Sequence, residues 1–223
     1  MLKYLLSYFY PTTLHSQPSK LSKRLEVRYQ NGEYTLDSAN TTYSFGNLQK
    51  VLHAGLKQIP KQHLQNMQSA LILGVGAGSV LHTLRHQLHF NGHITGIELD
   101  PEVIRLAQIY FELDRVSGID IRMEDAFEFV LRCQDTYDLI VIDLFEDAKM
   151  PSFVYEEFYV KHLKLILKTN GYILFNTIIL NKNQEVKNTK YCELFPIQEY
   201  TVQRLKKLQP FNELILIHAN PTS

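Results

Sequence analysis

The chain has 223 residues, 45% of them hydrophobic, enough for one medium domain with a packed core and a small extension. Its 23 basic residues are balanced by 23 acidic ones and no dense Lys/Arg block occurs, so the sequence offers no electrostatic grip on nucleic acid, although specific modification of RNA stays open. The two cysteines, Cys133 and Cys192, lie far apart within apolar or helical stretches, as reduced packing residues of a cytoplasmic protein do, and no disulfide is expected.

The first residues, MLKYLLSYFYP, are apolar but far short of the roughly 20 residues a bilayer span needs, and they lack a small-residue cleavage site; no membrane association is expected. Tyr4, Leu5, Tyr8 and Phe9 would form a helical stripe that packs on the chain itself or on a second copy, which makes a homodimer an expectation. Pro11 ends it. Residues 24–29 and 32–37 are β-rich on either side of Asn31-Gly32, a strong hairpin signal. Tyr43, Ser44, Phe45 and Gly46 read as a turn, after which Leu48, Val51, Leu52 and Leu56 keep helical period up to Pro60.

At residues 70–73 a short apolar run meets GVGAGS, and Val80, Leu81, Leu84 and Leu88 then recur at helical spacing. The period changes across Gly74, Gly76 and Gly78, which can take positive φ and let a ligand lie against the backbone at a helix start. Residues 93–99 form a second strand ending in Glu98, where an acid about 20 residues after the glycines usually holds a ribose hydroxyl pair. Asp100-Pro101 starts a helix whose buried face is Val103, Ile104, Ala107, Tyr110 and Phe111. Residues 119–123 are a third strand, Asp125-Ala126 opens the next helix, and YDLIVID at 137–143 is a continuous apolar strand covered on both faces. A helix over 153–167, a strand over 171–178, and two strands near 201–208 and 213–219 complete the chain. The short last connection permits only antiparallel pairing, whereas the repeated βα units imply a parallel sheet with helices on both faces.

Ligands of such a sheet sit beyond the carboxyl ends of its strands. Glu98, Asp125 and Asp143 all fall there, beside the glycine turn. Each also has an ordinary structural role open to it: Asp125 as a helix cap, Glu98 or Asp143 as partners of a cation.

The glycine spacing separates two nucleotide classes. The dinucleotide pattern wants glycine at 79, where this chain has Ser79; its G-x-G-x-G resembles the first motif of class I S-adenosylmethionine-dependent methyltransferases. From about residue 25 to 219, GVGAGS, GIELDPEVI, EDAFEF, YDLIVID and FVYEEFYVKHLKLILKTNGYILFN resemble, in order and spacing, the spermidine synthase-like branch of that superfamily. The resemblance implies an α/β Rossmann-like methyltransferase fold: a mostly parallel seven-stranded sheet with an antiparallel last strand, after a small N-terminal β element. It divides the chain into an extension over 1–60 and a cofactor-binding domain over 61–223.

By the same resemblance the cofactor is S-adenosylmethionine or its decarboxylated form. Gly74, Gly76 and Gly78 would cradle its amino-acid end, Glu98 would hold the ribose hydroxyls, Asp125 with Ala126 would read the adenine amino edge, Ala77 and Leu99 would also line the cofactor, and Asp143 would face the transferred group as the catalytic carboxylate. Tyr43, Phe145 and Glu146 are the expected surroundings of a small-molecule acceptor. Polyamine synthases of this branch carry an acid in the glycine turn, where this chain has Ala77, and a Tyr-His-Glu segment near Gln49-Lys50-Val51-Leu52. After strand four they have two aspartates three apart followed by proline; here Glu146 keeps an acid three residues after Asp143. Methyl transfer to a small molecule is therefore the first reading, aminopropyl transfer the alternative, and a catalytically silent cofactor-binding protein the third.

Other clusters read as structure. His82, His86 and His89 would share a helical face with His93 beyond, yet Leu81, Leu84 and Leu88 claim the core side, so no metal is expected. Lys161, Lys164 and Lys168 read as a solvated helix face. No local signature of a hydrolase is present.

Overall fold

The fold is a computed structural model describing residues 7–8, 10–19, 21, 23–38, 42–44, 47–145, 150–206, 208 and 211–221, with the side chains of 42–44, 47 and 48 outside the description. The expected N-terminal stripe, except Tyr8, lies outside these residues, as does Glu146.

Four strands open the chain as an antiparallel meander: β1 (Thr12–Ser19), β2 (Lys23–Gln30), β3 (Glu33–Ser38) and β4 (Thr42–Ser44). The hairpin turns where expected, Asn31 and Gly32 taking φ of 53° and 79°, the positive values a tight right-twisted hairpin requires. Strand β1 was not anticipated, because this largely exposed edge strand carries polar residues and Pro18 instead of an apolar alternation. The turn expected at 43–46 begins as β4, paired with β3.

Helix α1 (Asn47–Leu56) and a short α2 (Lys61–Asn66) lead into the main sheet. Its strands are β5 (Ser69–Leu73), β6 (His93–Glu98), β7 (Ile119–Met123), β8 (Tyr137–Ile142), β9 (Leu167–Ile178), β10 (Tyr200–Lys206) and β11 (Asn212–Ala219), in the order β10-β11-β9-β8-β5-β6-β7. All neighbours from β9 to β7 are parallel, and β11 runs antiparallel between β9 and β10. Strand period sorts the core into two layers. Leu139 and Val141 of β8 join Ala70, Ile72, Leu174 and Leu214 on one face, while Ile140 and Ile142 join Leu71, Leu73, Ile173 and Phe175 on the other. Each such fully buried aliphatic side chain contributes about 1.5–3 kcal/mol.

Helices α3 (Ser79–His82), α1 and α4 (Pro101–Tyr110) cover the first face; α5 (Ala126–Arg132), α6 (Glu157–Leu165) and α7 (Lys182–Glu193) cover the second. Helix α1 lies so close that a Cβ on Gly55 would stand 2.5 Å from Leu214 Cδ1 and 2.9 Å from Leu174 Cδ1. The N-terminal sheet docks on α4: Leu25, Val27 and Leu36 join Val103 and Ala107 in one cluster, Gln17 Nε2 donates to Glu102 Oε2 at 2.6 Å, and Ser19 Oγ donates to Asp100 Oδ2 at 2.5 Å.

Several expectations are corrected. The helix over 153–167 is two pieces, a 3-10 turn (Ser152–Tyr155) and α6, separated by Glu156 at ψ 132°, and Leu167 already belongs to β9 because Tyr137 N–H is held by the Ile166 carbonyl at 2.8 Å. Helix α7 was missed; it buries only Asn188 and Tyr191, so its sequence has no apolar stripe to read. After His82 the helix widens into a π turn (Thr83–Gln87), Leu88 N–H reaching back to the Thr83 carbonyl at 3.0 Å. That breaks the assumed histidine face. His82 turns partly inward, its Nε2 2.8 Å from the Phe111 carbonyl, and burial lowers its pKa, while His86, His89 and His93 are exposed.

The lysine face also resolves into separate contacts. Lys164 Nζ donates to the Leu194 carbonyl and lies 4.9 Å and 5.2 Å from the Phe195 and Tyr200 ring centres, with burial lowering its pKa. Lys168, on β9, pairs with Asp138 at 2.9 Å; of the three, Lys161 is exposed. Cys133 and Cys192 are free and half-buried.

One ionic cluster ties the last strands to α7. Glu213 is fully buried and accepts from Arg204 Nε at 2.6 Å, from its second guanidinium branch at 3.0 Å and from Asn188 Nδ2 at 2.7 Å. Removing the cation leaves a buried carboxylate without its counter-charge. Arg204→Ala is therefore expected to cost about 3–5 kcal/mol in urea unfolding, and an unchanged midpoint would show the pair to be dispensable.

Candidate active site

Hydrogen bonding of the parallel sheet continues past the strands themselves. Asp143 N–H donates to the Leu73 carbonyl at 2.8 Å, Gly74 N–H to the Ile97 carbonyl at 2.9 Å, and Glu124 N–H to the Glu98 carbonyl at 3.1 Å. Each bond fixes where the next side chain leaves its strand. Gly74, Glu98, Asp125 and Asp143 consequently share one rim, at the carboxyl ends of β5 to β8.

The glycines of this rim are required by space. Gly74 has φ +88°, and a Cβ there would sit 2.3 Å from the Asp143 carbonyl oxygen, a backbone atom that cannot yield. Gly78, at φ +90°, starts α3 and would meet Leu113 Cδ1 at 2.9 Å. Gly76, at φ +55°, donates its N–H to Glu98 Oε2 at 3.0 Å. Ala77, between them, is fully buried and its methyl packs in the apolar cluster; only its backbone belongs to the turn.

Glu98 has no cationic partner among the described residues. Its Oε1 accepts Leu99 N–H at 2.9 Å and Asp100 N–H at 3.0 Å, and its Oε2 accepts Gly76 N–H. Burial pushes its pKa up, and the backbone donors oppose that. Three bonds engage most of the roughly four acceptor positions of a carboxylate and leave room for a hydroxyl donor. Leu99, directly beyond, stays 47% exposed, as does Met123 at the end of β7, so two apolar side chains flank the acid uncovered.

Asp125 caps α5, its Oδ1 accepting Phe127 N–H at 2.7 Å, so the capping role is real; Ala126 follows it, buried, with its carbonyl accepting from Tyr159 O–H at 3.3 Å. Asp143, largely buried, accepts from Asn176 Nδ2 at 2.8 Å. Burial, with the Glu98 carboxylate nearby, pushes its pKa up to about 6. Phe145 is half-buried two residues on, and Tyr43 lies on β4 with its side chain outside the description. No group of three metal-ligating side chains occurs among the described residues.

Asn176 escaped the sequence reading. Its signal was a polar residue inside the apolar run YILFN, fully buried here on β9 beside Asp143. A buried amide needs partners, and it has two: Asp143, and Asn212 Nδ2 donating to its Oδ1 at 3.2 Å.

The glycine turn, a buried acid, uncovered apolar side chains and a perturbed carboxylate gather at one rim, the place and chemistry of a ligand site. The comparisons give the family. The model of the spermine/spermidine synthase domain matches residues 49–201, and the chain belongs to that family. Polyamine aminopropyltransferase 2 of Aquifex aeolicus (strain VF5) is 35% identical over 133 residues, 55% of this chain and 26% of that protein. The chain spans about a quarter to a half of the length of the curated relatives it matches. A probable spermidine synthase from Corynebacterium glutamicum ATCC 13032 superimposes with TM-score 0.72 at 17% identity, covering 93% of this chain and 79% of that one. Human methyltransferase-like protein 13 in complex with SAH gives 0.63 at 19%, covering 80% and 83%. Both share the Rossmann-like methyltransferase fold expected from the sequence. The matches include proteins named as polyamine aminopropyltransferases and proteins named as methyltransferases, all of them transferases.

Two outcomes follow from the rim. Glu98→Ala removes the acceptor that holds Gly76, Leu99 and Asp100 N–H groups, and calorimetric binding of S-adenosylmethionine or its decarboxylated form should vanish; parental affinity would remove Glu98 from the site. Asp143 titrates higher folded than unfolded, from 3.8 to about 6, so its ionisation destabilises the fold as pH rises through that window. Asp143→Asn should therefore be more stable than the parent by about 1–3 kcal/mol at pH 8, with the gap closing below pH ~4; equal stability at both pH values would deny the raised pKa.

Proposed function

We propose that the chain transfers an alkyl group from a sulfonium nucleoside to an amine, and that the group is aminopropyl, taken from decarboxylated S-adenosylmethionine. The observation that carries the reading is Asp143: a carboxylate at the strand rim, largely buried, held by Asn176 and titrating near neutrality at about 6. A base of that pKa can accept a proton from an amine at physiological pH. Family membership and the Aquifex relative support the choice of group.

When bound, the sulfonium nucleoside supplies an electrophilic carbon and a neutral thioether as leaving group. Glu98 would take the ribose hydroxyls, Leu99 and Met123 the faces of the base, and Asp125 its amino edge. The acidic rim attracts both the cationic donor and a cationic acceptor. Asp143 then receives the proton the amine must lose, as its nitrogen bonds to the carbon and the carbon–sulfur pair goes to sulfur. Most of the acceleration comes from alignment and exclusion of water.

A second reading, methyl transfer from S-adenosylmethionine to a small-molecule amine, is favoured by Ala77, buried where polyamine synthases of this branch carry an acid. The leaving thioether separates the two. Incubation with each donor and a panel of diamines and monoamines should release 5′-methylthioadenosine from the decarboxylated donor; S-adenosylhomocysteine from the other would establish methyl transfer, and neither product with any amine would leave a silent binding protein. With either donor, kcat/KM should rise with pH through an acid limb near 6, and Asp143→Asn should bind donor as the parent does while turning over at least about 100-fold more slowly.

A further inference from the structure

We propose that Asn212 and Asn176 form a two-amide relay that fixes the orientation of the Asp143 carboxylate and reserves its Oδ2 for the proton of the acceptor; this rests on the reading of Asp143 as proton acceptor. The three side chains are consecutive links of one hydrogen-bonded chain. Asn212 Nδ2 donates to Asn176 Oδ1 at 3.2 Å, and Asn176 Nδ2 donates to Asp143 Oδ1 at 2.8 Å. Sheet register explains their meeting. Asn212 lies opposite Ile178 on β9, so its side chain reaches diagonally to position 176 on the same face, and Phe175 pairs with Ile142, setting Asn176 beside the residue after β8.

The polarity of the relay matters because an amide has two unlike ends. Asn176 is fully buried, so neither end can turn to water. With its carbonyl occupied by Asn212, its N–H group must face Asp143, which favours the ionised carboxylate and engages Oδ1. An unanchored amide could turn its carbonyl to Asp143 instead and stabilise the protonated acid, which is unable to accept a proton. The anchor on β11 thus holds Asp143 in its proton-accepting form against burial and against the Glu98 carboxylate, the charged group that faces it across the rim from β6. Asn176 and Asn212 are positioning residues and reach the reaction only through Asp143.

The test is a carboxyl-carbon NMR titration of Asp143 in the full chain without donor, paired with the pH profile of kcat/KM. Asn176→Leu removes the donor, and the Asp143 titration should move upward by about one unit or more. Asn212→Leu keeps Asn176 but frees its carbonyl, and should give a smaller upward shift with the fold retained, which preserves the test if Asn176→Leu fails to fold. An Asp143 titration unchanged in Asn212→Leu and in any folded Asn176→Leu would overturn the relay regardless of activity. If the titration moves and the acid limb of kcat/KM moves with it, relay and reading both stand. If the titration moves while the limb stays, the relay's hold on the carboxylate stands and the assignment of Asp143 as proton acceptor falls.

Discussion

The site depends on how closely β5 and β8 approach where both strands end. The Asp143 carbonyl occupies space that any side chain at position 74 would need, and the bond from Asp143 N–H to the Leu73 carbonyl draws the chains to that separation. Once Gly74 permits the approach, the turn through Gly76 and Gly78 reaches the side chain of Glu98, and Asp143 comes under the influence of the same acid. The geometry of the rim is a by-product of backbone packing: strands spaced by the ladder deliver side chains to positions no loop could hold as firmly.

The acids of this rim are stabilised unevenly, and the unevenness divides their labour. Glu98 is wrapped by three backbone N–H groups, fixed dipoles that oppose the upward push of burial on its pKa, and so suits a binding role. Asp125 has one oxygen committed to the start of α5. Asp143 has a single side-chain donor against burial and a like charge, and it is pushed up to about 6. The fold holds this carboxylate at a cost in stability, in return for a group that can exchange a proton near neutrality.

What the sequence made legible follows the same physics. Strands β5 to β9 and helix α4 were readable because apolar runs, an Asp-Pro cap and the glycine turn all act locally, and the rim acids could be placed because each stands one or two residues past such a run. The π turn after His82, the early start of β9 at Leu167 and the polar helix α7 were not, since each goes with contacts to distant segments: the Phe111 carbonyl, the pairing of Tyr137 with the residues where β9 begins, and the buried Glu213. Asn176 was visible only as an oddity. A polar residue in an apolar strand signals an unmet partner, and the partner's identity requires the register of two non-consecutive strands.

The N-terminal sheet is joined to the rim by a short bridge. Ser19 holds one oxygen of the Asp100 carboxylate, and the backbone N–H of Asp100 is held by Glu98 Oε1. A ligand that shifted Glu98 would act on a residue already tethered to β1, and any such coupling is reciprocal: to the extent that occupying the acid steadied the docked sheet, steadying the sheet would preorganise the acid. Strands outside the main sheet would then share in the free energy of binding.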